Sequence, residues 1–139
     1  MRNLPPAQPP DNRDSKEDTV ADHVKIKRVY EPARQADGYR VLVDRLWPRG
    51  VAKEDLPYDA WEKDLAPSPA LRKWFGHKID HWDQFRESYE SELRSPEQAK
   101  RMRELVKEAG GRDITLVYAA RDPEHNHALI LAQEINRLY

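Results

Sequence analysis

"YRVLVDRLWPRG", Tyr39–Gly50, decides how this 139-residue chain is read. Its first part, through Leu46, is nearly continuously apolar, as expected of a strand covered on both faces. Its second part loads the end of that strand with Asp44, Arg45, Trp47, Pro48, Arg49 and Gly50. A second stretch, "ITLVYAA" at Ile114–Ala120, has the same apolar character and runs into Arg121-Asp122-Pro123-Glu124-His125-Asn126-His127. Between the two lie three helical patterns. A strand, a helical crossover and another buried strand imply a parallel pair.

The helices are marked by their ends. "PSPALRKWFG" places Ser68 as N-cap, Pro69 at the first helical position and Gly76 as the stop. From Asp80 onward, Trp82, Phe85, Tyr89 and Leu93 recur at three and four residues, one face of a helix. "SPEQAKRMRELVKEAGG" is capped by Ser95 and opened by Pro96, with Gln98 where a capping-box partner belongs and Gly110-Gly111 closing it. A last helix is expected from Asp122-Pro123, with Ala128, Leu131, Ile135 and Leu138 facing the core. Upstream, "VKIKRVY" at Val24–Tyr30 alternates like a half-exposed edge strand. The linking "EPARQADG" is shorter than the dozen or so residues of a usual helical crossover, which leaves the relative direction of the first two strands open. The fold expected is α/β: a single domain over residues 23–139 with a small three-stranded, mostly parallel sheet and about four helices. Residues 1–22 have four Pro in the first ten positions and little to bury, so they are expected to form a flexible tail.

Composition narrows the function. The formal net charge of −1 disfavours general nucleic-acid binding, which needs a basic face. Without Cys there is no thiolate nucleophile, no disulfide and no zinc–thiolate site, and the chain suits a reducing cytoplasm. No apolar run approaches the length of a bilayer span, so no membrane partner is expected. Phosphate-loop, dinucleotide-binding and nucleophile-elbow motifs are missing. His77 and His81 have the spacing of two ligands on one helix face, but Gly76 and Asp80 break the pattern there. His125 and His127 diverge on a helix. No metal and no cofactor is expected.

In open parallel sheets, ligands bind beyond the carboxyl ends of the strands. If the two strands are adjacent, the loops at Asp44–Gly50 and Arg121–His127 face each other, and the second opens a helix whose N–H groups favour an anion. Arg45 and Arg49 are the candidate anion holders, because a guanidinium fork donates two hydrogen bonds in register to phosphate or carboxylate. Lys63 and Arg72 flank them as further candidate ligand-binding residues. His125 is the candidate acid or base, with Asp44 and Tyr118 to orient it and Asn126 to donate a hydrogen bond. The bland alternative makes Arg45 a partner of Asp44 or Glu31, and Arg49 a solvated loop charge. The four Trp, at 47, 61, 74 and 82, with Phe75 and Phe85, read as one aromatic subcore packing the crossover helices on the sheet, Trp74 included. An aromatic-walled pocket is the alternative.

"GYRVLVDRLWPRGV", "WEKDLAPSPALRKWFGH" and "LVYAARDPEHNHALIL" together resemble the YeaO-like branch of the family called domain of unknown function 488. The resemblance covers residues 24 to 138. Its signature falls on Asp44, Arg45, Trp47, Pro48, Arg49 and Gly50, then on the run from Trp61 to His77, and finally on Tyr118, Ala119, Asp122, His125, Asn126 and Ala128. Arg121 departs from it, standing where Lys is more usual, and the long N-terminal segment lies outside it. The resemblance implies a compact α/β domain with a site, and no particular reaction. Two functions follow as expectations. One is a small protein that binds a small anion, such as a nucleotide or phosphorylated metabolite, with or without acid–base chemistry. The other is a non-enzymatic nucleic-acid- or protein-binding module built on the Arg- and Trp-rich crossover.

Overall fold

The computed structural model describes residues 22–139. The tail expected over 1–22 therefore lies, except for Asp22, outside the described residues. Strands β1 (Val24–Arg28), β2 (Tyr39–Leu42), β3 (Ala60–Trp61) and β4 (Ile114–Tyr118) form a sheet of order β1-β4-β2-β3, in which every pair is parallel. Helices α1 (Pro69–Phe75), α2 (Trp82–Leu93) and α3 (Pro96–Ala109) make up the crossover from β3 to β4, and α4 (His127–Asn136) follows β4.

The sheet has four strands where the sequence pattern indicates three. Ala60–Trp61 is too short to carry a period. It is a strand only because the Asp59 and Glu62 N–H groups donate to the Arg40 and Leu42 carbonyls at 2.7 and 2.8 Å. The direction of the first two strands is also decided by tertiary structure: β1 and β2 run the same way, with β4 inserted between them. The connection Val29–Gly38 needs no α-helix and carries only a single 3-10 turn at Gln35–Asp37. Ten extended residues reach up to ~35 Å, whereas stepping over one strand and returning along another takes roughly 10 and 16 Å. At its end Gly38 has φ 68° and ψ −130°, and a side chain there would collide with the Asp113 carbonyl oxygen. That oxygen accepts the Tyr39 N–H at 2.9 Å, which starts the β2–β4 ladder.

Both faces of the sheet are covered, which is why β4 is buried throughout. On one face Ile114, Leu116 and Tyr118 meet the helices through Phe85, Tyr89, Leu131 and Ile135. On the other, Leu42 and Val117 pack with Val29 and Leu56 beneath Trp47 and Trp61. Trp47 and Trp61 thus pack on one core cluster and Trp82 on the other, rather than all four Trp gathering in one subcore. Trp74 is a correction: it is 40% exposed and stacks on His81 at a centroid distance of 4.1 Å. Two turns of helix have one inward face, and in α1 Phe75 occupies it, stacked on Phe85 at 4.3 Å. The adjacent Trp74 necessarily points elsewhere.

The caps at Ser68 and Ser95 form as read, their hydroxyls accepting the Leu71 and Gln98 N–H groups. The Gln98 side chain does not close a capping box. It donates to the Asp64 carbonyl at 2.7 Å. The last helix begins later than Asp122-Pro123, at His127, with Asn126 as N-cap. Asp122 instead folds the preceding residues into a turn, its carboxylate accepting the Glu124 and His125 N–H groups. Such local side-chain bonds compete with helix. Leu138, expected on the core face, lies beyond the helix end and is exposed. Among the described residues, no helix is long and apolar enough to cross a membrane.

Candidate functional site

The carboxyl ends of β2 and β4 open into one cavity of about 490 Å³. Its walls come from the loop after β2, the segment around α1, the start of α2 and the loop leading into α4. Val43 extends the β2–β4 pairing by donating to the Val117 carbonyl at 3.1 Å, and the chain then leaves the sheet at Asp44. Two indoles fix the path of that loop. Trp47 Nε1 donates to the Val51 carbonyl and Trp61 Nε1 to the Asp44 carbonyl, both at 2.7 Å. Trp47 and Trp61 are thus clamps on loop backbone, with their rings covering the second core.

Arg45 reaches under the segment before α1, its Nη2 donating to the Ala66 and Pro67 carbonyls at 3.4 and 3.2 Å. Its Nε is buried without a partner among the described residues. Arg49 and Arg72 are exposed side chains on the cavity rim. Among the described residues, Asp44 is the one carboxylate in the lining. Its Oδ2 accepts the Ala119 N–H at 3.1 Å, and its Oδ1 lies 3.7 Å from His127 Nε2. Burial pushes the Asp44 carboxyl above its ordinary value, opposed by His127, the Ala119 N–H and Arg72. Burial likewise holds His127 below the ordinary imidazole value, with Asp44 opposing and Arg72 and His77 adding to the depression. His127 Nε2 lies 3.0 Å from the Val43 carbonyl. A carbonyl can only accept, so Nε2 carries the hydrogen in the neutral ring.

His125 has a carboxylate of its own. Its Nδ1 is 2.9 Å from Asp122 Oδ2, and its ring meets Trp82 edge-on at 5.3 Å. The Asp122 carboxyl is held below its ordinary value, chiefly by the Glu124 N–H, against burial and together with His125. With Nδ1–H donating to Asp122, Nε2 of His125 is the atom left to accept or deliver a proton.

A family model described as the inactive DUF488-N3 subclade matches residues 23–139. The chain belongs to the DUF488 family. It is 46% identical over 117 residues to "Uncharacterized protein YeaO" of Escherichia coli (strain K12), covering 84% of this chain and 99% of that one. It is 42% identical over 113 residues to "Uncharacterized protein Rv3073c" of Mycobacterium tuberculosis (strain ATCC 25618 / H37Rv), covering 81% and 93%. The same figures hold for "Uncharacterized protein Mb3100c" of Mycobacterium bovis (strain ATCC BAA-935 / AF2122/97). No solved structure matches the chain significantly.

In this DUF488 domain six of the residues singled out from sequence line the one cavity: Asp44, Arg45, Arg49, Arg72, His125 and Asn126. Two do not. Tyr118 is 2% exposed within the helix-side core, and Lys63 lies over the Trp61 ring at 5.1 Å, away from the cavity lining. Asp44 faces His127 rather than His125, which takes Asp122 instead. Asn126 is committed to the backbone: Oδ1 accepts the Leu129 N–H and Nδ2 donates to the Asp122 carbonyl. Sequence reading passed over His127 and His77 as parts of the cavity, and held the aromatic wall that Phe75 and Phe85 supply only as the alternative to a subcore. Nothing in the spacing of His127 signals its place. It stands first in α4, and only the packing of that helix on β1 and β4 lays its ring against the Val43 carbonyl at the exit of β2. Among the described residues no three His, Asp or Glu side chains gather as metal ligands.

Proposed function

We propose that this DUF488 domain binds a small anionic ligand, a nucleotide or a phosphorylated metabolite, at the carboxyl ends of β2 and β4. One observation carries the reading: Arg45, Arg49 and Arg72 surround a single cavity in which, among the described residues, Asp44 is the one lining carboxylate. Guanidinium groups suit phosphate and carboxylate oxygens. The volume falls within the range of small-molecule sites, roughly 300–1,000 Å³. Phase-separated chemistry within it, Arg at the rim and Phe75, Phe85 and Pro67 in the wall, suits a charged group carried on a less polar body. The description of the matching subclade as inactive weighs for binding over turnover. Acid–base chemistry on the bound ligand is a second reading, favoured by the Asp122–His125 pair. A cytoplasmic setting fits both the ligand class and the Cys-free composition.

The rival reading, a nucleic-acid- or protein-binding module, would be favoured by a basic strip running from Arg45 through Lys63 to Arg72. Lys63 lies apart from the cavity that the two arginines share. Calorimetric titration with inorganic phosphate and with a nucleoside monophosphate tests the proposal. Arg49→Ala and Arg72→Ala remove exposed groups and should leave the fold intact. Each should weaken binding about tenfold or more, the worth of a hydrogen bond to a charged group. No uptake of either ligand, beside salt-sensitive binding of a short oligonucleotide, would replace this reading by its rival.

A further inference from the structure

We infer that anion binding in this cavity is coupled to proton uptake by His127. The inference rests on the anion-site reading above. His127 forms part of the cavity wall, at the junction of β2 and α4, with its Nε2–H given to the Val43 carbonyl. Nδ1 is therefore the atom that gains a proton. Around the ring stand Asp44 from the loop after β2, Arg72 from α1, His77 just beyond α1 and the Tyr89 ring of α2 at 6.2 Å, with His125 two residues before it in the same loop. Asp44 favours the imidazolium, and Arg72 and His77 oppose it. Arg72 is also one of the three guanidinium groups offered to an anion.

An anion seated among the arginines cancels the positive field that opposes the imidazolium, while the Asp44 carboxylate stays in place. The proton affinity of His127 then rises. By reciprocity, a protonated His127 binds the anion more tightly. Asp44 gives the device its balance. With its Oδ2 tied to the Ala119 N–H, it compensates a proton on His127 without swinging into the cavity. One linked proton sets a limit: affinity changes by at most about tenfold per pH unit, and only between the proton affinities of the free and occupied states.

Sulfate is the probe, because its own charge is constant between about pH 5 and 8, where imidazole titrates. Its affinity for the wild-type chain, measured by calorimetry in buffers of different ionisation heat, should rise as pH falls, with up to one proton taken up per sulfate. His127→Gln keeps an N–H for the Val43 carbonyl but cannot gain a proton, so its sulfate affinity should be flat across that range. His23→Gln and His81→Gln, whose side chains lie outside the cavity lining, should keep the slope. In the wild-type chain the NMR titration of the His127 ring should move to higher pH when sulfate is added, a readout that does not depend on the variant folding. A slope that survives in His127→Gln, that vanishes only in Asp44→Asn or His125→Gln, or a His127 titration indifferent to sulfate would overturn the coupling. Sulfate binding without any pH dependence would remove the coupling and leave the anion site standing. No sulfate binding at any pH would remove both.

Discussion

Gly38→Ala is the sharpest test of how the sheet is assembled. Gly38 has φ 68° and ψ −130°, a region open almost only to glycine. Placing another residue there costs about 1–3 kcal/mol. The added methyl would also overlap the Asp113 carbonyl oxygen and lie 3.1 Å from its carbon. That neighbour is backbone, fixed by its bond from the Tyr39 N–H at the start of the β2–β4 ladder, and it cannot rotate away as a side chain would. Forcing atoms into such a site costs a further ~1–3 kcal/mol. The sum, about 2–6 kcal/mol, is a large fraction of the 5–15 kcal/mol that stabilises a typical domain. Gly50→Ala is the internal control. Gly50 also has a positive φ, 78°, but among the described residues nothing lies within 4 Å of its missing Cβ, so only the conformational cost of ~1–2 kcal/mol applies. Urea unfolding of both variants measures the difference directly. If Gly38→Ala proves no more costly than Gly50→Ala, the close approach of β2 to the turn before β4 is not as described.

Phe85→Ala, at a buried ring stacked on Phe75, should cost about 3–5 kcal/mol in denaturant titration. Trp74→Ala should cost no more than ~1.5 kcal/mol, the scale of its stack on His81. Asp37 supplies a pH test. Burial pushes its carboxyl upward, but Lys27, the Arg34 N–H and Arg40 outweigh that and hold it at about 2, below the ordinary 3.8. A depressed carboxyl stabilises the fold fully above its unfolded value and loses that contribution as pH falls through the folded one. Stability of the wild-type chain should therefore drop between about pH 4 and 2 by on the order of 2 kcal/mol more than that of Asp37→Asn. An equal acid response in the two chains would show that Asp37 is not held in this way. Prolonged chelation should leave the thermal midpoint unchanged, and a chelator-sensitive midpoint would reveal a metal the side-chain arrangement does not foresee.

Local chemistry was enough to read much of this protein from its sequence. The Ser68-Pro69 and Ser95-Pro96 starts, the Gly76 and Gly110 stops and the Trp82-Phe85-Tyr89-Leu93 face depend on neighbours within a turn or two, and they stand where they were expected. The two buried strands depend on a run of apolar residues, and their parallel pairing follows from the helices between them. That pairing brought Arg45, Arg49 and His125 to one cavity. Tertiary structure decided the rest, because the deciding partner lies far off in the chain. Ala60–Trp61 is a strand only against β2, and β4 enters between β1 and β2 although it is made last. Trp74 and Trp82 look alike in sequence, yet the packing of α1 on α2 exposes the first and half-buries the second. Asp44 and His127 are separated by most of the domain and acquire their altered proton affinities only when folding shuts water away from both. A sequence records which groups can ionise; the dielectric and the charges around them exist only once the chain has folded.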